Sequence, residues 1–388
     1  MINKKKAVII FVLSFLLSGF FTYTLTAKGS VNILNQSNYT PPDTSDSESG
    51  PEQKANEAKT EECPLNGQLY GKSSKSKWDK RRPLGIMVEN STEARPQSGL
   101  SSADIVYEAV AEGGITRFLA IYYCEDASYV GPVRSARIYF IKLLQEYGDY
   151  PLYAHVGGAN TDGPADALGE IDDLGWGLYN DLNQFGVPFP YYWRDYERLP
   201  GRVTEHTVYT NAEKLWEYAK SKRNLTNSDK KGKFWDTNFA GWKFRDEAVD
   251  RSKTSLTKVG FGFWDKFSAA HAVEWEYDKI KNSFKRNNGG VTHIDKNTDK
   301  QLEAKNIVVV FSAESAANDG YPGGHLLYKL TGSGRALVFQ DGKAIEATWN
   351  KKNEETRMKF FDETGKDISF VRGKIFVEVL PIGNKVNY

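Results

Sequence analysis

The sequence has little cysteine, with only Cys63 and Cys124 in 388 residues, and it contains no CxxC pair. Zinc ribbons and thioredoxin-type redox sites need such closely spaced cysteines, so both are excluded. A single disulfide between the two residues is compatible with an oxidising compartment. Two separate reduced thiols are the alternative, and the sequence leaves both open.

The common catalytic signatures are also missing. No P-loop, HExxH, GxSxG or Rossmann glycine fingerprint occurs in the chain. Two histidines of interest, His155 and His206, lack the close spacing of a metal site. We therefore expect no cofactor and no bound metal, and the sequence assigns no reaction.

The chain lacks a large charge of either sign. Its 51 basic and 50 acidic residues give a net charge of +1. Residues 1–28 contain four lysines and no acid, so everything after them sums to −3. A protein that binds nucleic acid through a broad basic surface is thereby excluded, because no strong positive field is available to attract phosphates.

One long hydrophobic run is present, at residues 7–25, directly after three lysines. At 1.5 Å per residue it would span roughly 28 Å, close to the thickness of a hydrocarbon core. The lysines should stay cytoplasmic. We predict a transmembrane signal anchor over residues 1–28, a single-pass protein of the cell membrane, and an extracytoplasmic body. A cleaved signal peptide is the alternative, although Leu25 does not suit a cleavage site.

Composition divides the rest of the chain into four parts. Residues 29–80 are polar and predict a disordered stalk. Residues 81–220 mix strand and helix patterns and predict an α/β or α+β domain. Residues 221–257 read as a connection, and residues 258–388 form strand after strand, which predicts a mostly-β domain.

The segment GPVRSAR at residues 131–137 predicts the start of a helix with Pro132 in its first turn. Arg134 and Arg137 would then lie on one side of that turn, next to Ser135. Cations there oppose the helix dipole, so we expect an anion bound by both guanidinium groups and the free N–H groups. Ordinary ion pairs with nearby acids are the alternative.

The clearest hairpin surrounds Gly113 and Gly114. A simple two-residue turn pairs Val110 with Arg117 and Glu108 with Leu119, and it places Glu108, Glu112 and Arg117 on one face. A carboxylate there could act as an acid or base. A ladder of ion pairs is the interpretation we favour.

Two histidines lie next to segments that a ligand could approach. His155 stands before two glycines at the end of a predicted strand, and His206 lies in the segment GRVTEHTVYT. Glycines let a ligand come close to the backbone, so either imidazole could contact one. Structural histidines are the alternative.

Several segments resemble the YerB-like family of bacterial envelope proteins. The matching positions in the first half are Asn90, 95–99, 112–117, 131–137, Arg202 and His206. Those in the second half are 306–309, 332–334, Trp349, 361–362 and Gly373. The resemblance implies a two-part domain of unknown function on a membrane-anchored envelope protein, and it implies no reaction.

The chain departs from that family in two places. A lipoprotein needs a cysteine directly after the apolar run, and the first cysteine here is Cys63, so a helical anchor is expected. Where the family has Pro-His-Asn, this chain has Glu205, His206 and Thr207. That difference weakens a role for the His206 loop.

Three hypotheses follow. The first is a binding module for an anionic wall polymer or peptide, using Arg117, Arg134, Arg137 and His155. The second is an envelope hydrolase or transferase using Glu108 or Glu112 with His155. The third is a scaffold for an envelope protein partner, with exposed aromatic residues in segment 234–244.

Overall fold

The structure, a computed structural model, describes residues 57–250, 254–264 and 268–388. The predicted anchor over residues 1–28 and residues 29–56 of the predicted stalk lie outside this part of the chain. Within the described part, no helix has the length and apolarity needed to cross a bilayer.

Strands outnumber helices. The five α-helices of the described residues are α1 Lys72–Trp78, α2 Ile138–Leu144, α3 Ala167–Asp173, α4 Ala212–Arg223 and α5 Ser268–His271. The first ten strands are β1 Glu61–Glu62, β2 Leu69–Tyr70, β3 Leu84–Glu89, β4 Ile105–Glu112, β5 Ile115–Tyr122, β6 Leu152–His155, β7 Asp181–Asn183, β8 Tyr192–Arg194, β9 Val208–Thr210 and β10 Phe244–Arg245.

The C-terminal part continues as strands. They are β11 Lys258–Phe261, β12 Val273–Asp278, β13 Ser283–Asn288, β14 Val291–Thr292, β15 Ile294–Asp295, β16 Lys300–Gln301, β17 Glu303–Ala304, β18 Asn306–Ser312, β19 Glu314–Ala316, β20 Leu326–Tyr328, β21 Gly332–Gln340, β22 Lys343–Lys351, β23 Lys359–Asp362, β24 Phe370–Val371, β25 Ile375–Pro381 and β26 Val386–Asn387. The mostly-β interpretation of residues 258–388 is therefore confirmed for the described residues.

A ten-stranded mixed sheet joins the two parts of the chain, in the order β23-β22-β21-β18-β25-β4-β5-β3-β6-β7. Strand β25 lies parallel to both β18 and β4, so a C-terminal strand pairs directly with the first hairpin. Strands β18 and β25 are apolar along nearly their whole length, as central strands covered on both faces must be. The two domains therefore share one sheet and one hydrophobic core.

A second sheet lies in the C-terminal part, with the order β14-β13-β12-β11-β26, and β17 also pairs with β13. Residues along β12 and β13 alternate between buried and more exposed positions. This pattern is typical of a sheet with one face on the core and the other towards solvent.

Short sequence patterns in the N-terminal part form the expected secondary structure. The predicted β4–β5 hairpin forms, with a turn at Gly113 and Gly114. The apolar run LGIMVE forms strand β3. Helix α4 begins after Asn211, whose side chain accepts a hydrogen bond from the Lys214 backbone N–H, as expected of an N-cap.

The prediction of a disordered stalk up to residue 80 is wrong for residues 57–80. Cys63 forms a disulfide with Cys124, so this segment is covalently attached to the chain just after strand β5. Trp78 is buried and packs edge-on against Tyr70. A few apolar anchors and one covalent bond thus order a segment whose average composition is polar.

The predicted connection at residues 221–257 is packed into the fold. Strand β10 pairs with β24. Trp235 and Trp242 are buried, and the ring of Trp242 lies 4.9 Å from that of Phe370. The scaffold hypothesis requires an exposed aromatic surface in segment 234–244. Among the described residues of that segment, Phe234 is the strongly exposed aromatic side chain, so most of that surface is absent.

Candidate functional site

The predicted helix start at residues 131–137 is wrong, because helix α2 begins only at Ile138. The segment is instead extended and bonded to its neighbours on several sides. Val133 N–H donates to Val208, Arg134 N–H to Met87, and Ala136 N–H to Gly157. These backbone hydrogen bonds stabilise the extended form, so the free helical N–H groups proposed for an anion are not present.

Two of the predicted arginines nevertheless meet a predicted carboxylate. Arg117 Nη2 lies 3.1 Å from Glu112 Oε2, and Arg137 pairs with Glu112 Oε1. Arg117 also donates to the carbonyl of Ser135, at 3.2 Å. The predicted Glu112–Arg117 ion pair is thus confirmed.

The third arginine joins through a neighbouring carboxylate. Arg134 Nε lies 3.3 Å from Glu89 Oε1, and His206 Nδ1 lies 2.8 Å from Glu89 Oε2. Glu89 and Arg117 are direct partners across β3 and β5, so their side chains share one face of the sheet. The carboxylate at Glu89 was missed, although its place at the end of an apolar strand was a usable signal.

These groups form what we call the arginine cluster: Arg117, Arg134 and Arg137 with Glu89, Glu112 and His206. Its three guanidiniums exceed its two carboxylates by one positive charge. Burial and the positive charges of Arg137 and Arg134 together lower the pKa of Arg117 to about 10, although Glu112 opposes that shift. The side chain of Arg134 remains 24% exposed, next to half-buried Ser135. An additional anion would therefore be favourable here.

The cluster lies at the carboxyl ends of several strands. Strands β3, β4 and β6 run in the same direction, and they end at Glu89, Glu112 and His155 respectively. Strand β5, which carries Arg117, runs in the opposite direction between β4 and β3, so its start lies at the same edge of the sheet as their ends.

His155 lies beside the cluster but is fully buried. Its Nδ1 is 2.7 Å from the Gly157 carbonyl, and its Nε2 is 2.6 Å from Asp181 Oδ1. Both ring nitrogens thus have an oxygen partner inside the fold. His155 therefore stabilises the turn at Gly157, whose carbonyl also accepts a hydrogen bond from Ala136 N–H. The imidazole of His155 does not face an incoming ligand.

Glu108 does not belong to the cluster, so the prediction that it shares a face with Glu112 and Arg117 is wrong. A β-bulge between Val110 and Glu112 shifts the register, which pairs Glu108 with Phe118 and Ala109 with Arg117. One inserted residue turns every preceding side chain to the other face.

On that other face, Glu108 enters a fully buried network that connects the two parts of the chain. Arg286 bridges Glu108 and Glu378, and its Nη1 lies 2.8 Å from Glu378 Oε1. Asn90 and Thr116 donate to Glu108 Oε1, at 2.9 Å and 2.6 Å. Burial and the neighbouring Glu108 raise the pKa of Glu378, while Arg286 opposes that shift.

Two histidines extend this network as hydrogen-bond acceptors. Arg286 Nε donates to His293 Nδ1 at 3.0 Å, which leaves the opposite nitrogen of that ring to donate to Gln97. Arg95 Nη2 lies 3.0 Å from His271 Nδ1. Burial and the nearby guanidiniums lower the pKa of both imidazoles, to about 4 for His271.

Acidification should weaken folding through these imidazoles. Their pKa is lower in the folded chain than in the unfolded chain, so unfolding takes up protons as the pH falls from about 6.5 to about 4. The free energy of unfolding should therefore fall across that interval, by up to about 1.4 kcal/mol per pH unit for each group. Urea titrations of the wild type and of His271→Gln would measure this. A variant that loses as much stability as the wild type would contradict it.

Comparisons with known proteins agree with this two-part layout. Residues 69–226 match the family profile "Protein of unknown function (DUF3048) N-terminal domain", and residues 265–377 match the corresponding C-terminal domain. A Bacillus subtilis protein named "Putative lipoprotein YerB" is 30% identical over 318 residues, which cover 82% of this chain and 86% of that protein. The crystal structure of YerB from Bacillus subtilis superimposes with a TM-score of 0.66 at 28% identity, over 85% of this chain and all of that one.

Proposed function

Because the chain belongs to the DUF3048 family, we propose that it is an extracytoplasmic envelope protein at the cell membrane that binds an anionic wall polymer or peptide. Two observations support the location. A relative that shares most of the chain is named a lipoprotein, and residues 7–25 of this chain form an uncharged apolar run behind three lysines.

The arginine cluster is the observation that carries the binding proposal. Three guanidiniums meet only two carboxylates at the carboxyl ends of β3 and β4, and Arg134 is partly exposed there. Guanidinium groups pair with carboxylate and phosphate through charge-assisted hydrogen bonds. A ligand anion at Arg134 and Ser135 would offset the excess charge of the cluster.

The hydrolase alternative finds less support. Glu108 and Glu112 project from opposite faces of β4, and His155 is fully buried and paired with Asp181. These three side chains therefore do not meet around one point that a substrate could reach. The ion pairs of Glu112 with two arginines favour a carboxylate that positions guanidiniums.

Removing positive charge from the arginine cluster should strongly weaken anion binding. The double variant Arg134→Gln with Arg137→Gln should bind a soluble poly(glycerol phosphate) or a glutamate-rich peptide at least tenfold more weakly than the wild type. It removes the partly exposed guanidinium of Arg134 and leaves one guanidinium of the cluster against two carboxylates. Isothermal titration of the full chain measures this, and circular dichroism checks the fold.

A matched control is Arg335→Gln. Arg335 is a half-exposed arginine on β21 that pairs with Glu346 at 3.0 Å, outside the cluster. This control should bind as the wild type does. Unchanged binding by the folded double variant would refute the proposal.

A further inference from the structure

We propose that the solvent face of the second sheet is a glycan-binding site, separate from the arginine cluster. A trough of about 650 Å³ crosses this face over strands β26, β11, β12 and β13. The proposal does not depend on the anion site, because the two sites share no residue.

The floor of the trough is one row of residues that pair directly across the four strands. Gly260 pairs with both Asn387 and Glu274, and Glu274 pairs with Asn287. Directly paired residues point to the same face of a sheet. At about 4.8 Å between strands, the row extends for about 14 Å.

Gly260 leaves the middle of this row empty. A Cβ atom there would meet no atom closer than the Val273 carbonyl oxygen, at 3.9 Å, and the residue does not adopt a left-handed φ. Neither packing nor backbone conformation therefore requires glycine at this position. A glycine inside a strand costs about 0.5–1 kcal/mol relative to alanine, and it often marks a place where a ligand approaches closely.

One wall of the trough is held in place by the fold. Asn384 Nδ2 donates to the carbonyls of Gly262 and Phe263, at 2.8 Å and 2.7 Å. These bonds attach the segment of Gly383 and Lys385 to the chain after β11. The wall is thus positioned before a ligand arrives, which lowers the entropy cost of binding.

The lining chemistry indicates the ligand class. The floor and wall carry amides at Asn287 and Asn387, a carboxylate at Glu274 and an ammonium at Lys385. Glu274 pairs with Lys258 at 3.0 Å, and the Asn287 amide bonds Glu276 and Gln301, so these two side chains face a ligand with the remaining lone pairs of their oxygens. These groups offer both donors and acceptors with balanced charge. Sugar hydroxyl and acetamido groups need that mixture, whereas a lipid tail needs an apolar lining and a polyanion needs excess positive charge. The strand spacing is also comparable to the length of one sugar residue, so successive sugars of a chain can meet successive strands.

Filling the trough tests this proposal. The variant Gly260→Trp places a bulky side chain on the outer face of the floor, while Val249→Trp adds the same side chain at a fully exposed position elsewhere. The probes are the tetramer of β-1,4-linked N-acetylglucosamine and peptide-free glycan strands, titrated into the full chain by calorimetry. We expect Gly260→Trp to bind at least tenfold more weakly than Val249→Trp.

The anion-site variant separates the two proposals. The double variant Arg134→Gln with Arg137→Gln should bind both glycan probes as the wild type does. Circular dichroism checks that each variant is folded. The proposal is overturned if the wild type binds neither probe, or if folded Gly260→Trp binds as tightly as Val249→Trp.

Discussion

Replacing Arg286 with glutamine should lower the free energy of unfolding by about 3–5 kcal/mol, because it removes the positive charge between two buried carboxyl groups. Arg286, Glu108 and Glu378 all have side chains with no solvent exposure. Glu108 and Glu378 are also direct neighbours on parallel strands β4 and β25. Chemical denaturation of the full chain would measure the loss.

The pH dependence and a surface control sharpen this test. A proton can neutralise one carboxyl group once Arg286 is gone, so the loss should be smaller at acidic pH than at neutral pH. Arg335→Gln removes an exposed ion pair and should lower the free energy of unfolding by less than about 1 kcal/mol. If Arg286→Gln lowered the free energy of unfolding no more than Arg335→Gln does, the buried network would not stabilise the contact between the two parts of the chain.

Removing the disulfide should lower the free energy of unfolding by a similar amount. Cys63 and Cys124 are separated by 61 residues. The loss of a cross-link that closes a loop of that length raises the entropy of the unfolded chain by an amount worth about 4 kcal/mol. The double variant Cys63→Ala with Cys124→Ala should be destabilised accordingly in chemical denaturation.

The disulfide also fixes a specific segment, which gives a second readout. Residues near Cys63 should become sensitive to limited proteolysis in the double alanine variant, while the segment around Asn211 and helix α4 stays protected. A variant that is as stable and as resistant as the wild type would show that β1, β2 and α1 pack without the covalent bond.

Local features could be predicted because their causes lie within a few residues. Strand β3 is a short apolar run, and the Gly113–Gly114 turn has the composition that a two-residue hairpin requires. The Asn211 N-cap likewise depends on one side chain and the following turn. These elements needed no knowledge of distant residues.

The errors have equally physical causes. The bulge at Val110–Glu112 moves Glu108 to the other face, and the hydrophobic pattern of β4 does not reveal it because that strand is buried nearly throughout. The extended form of residues 131–137 depends on partners at Met87, Gly157 and Val208. Periodicity and local propensity cannot include hydrogen bonds to such distant segments.

The buried network was missed for a related reason. Arg286 lies 178 positions from Glu108 along the chain, and polar residues inside strands usually face solvent. Asn90, Arg95 and Gln97 were recognised only through the family resemblance. Their contacts give that resemblance a structural meaning. Arg95 contacts His271, and Gln97 contacts His293. Asn90 Oδ1 accepts a hydrogen bond from Asn288, so all three residues connect the N-terminal part to the C-terminal part.

The most direct test of the anion-binding site is a nuclear magnetic resonance titration that follows arginine Nε–Hε signals in the full chain. On addition of soluble poly(glycerol phosphate) or a glutamate-rich peptide, the signal of Arg134 should shift with saturation, and that of Arg335 should stay in place. Saturable binding that leaves the Arg134 signal unchanged, or no binding of either polymer, would contradict the assignment of the arginine cluster as the anion site.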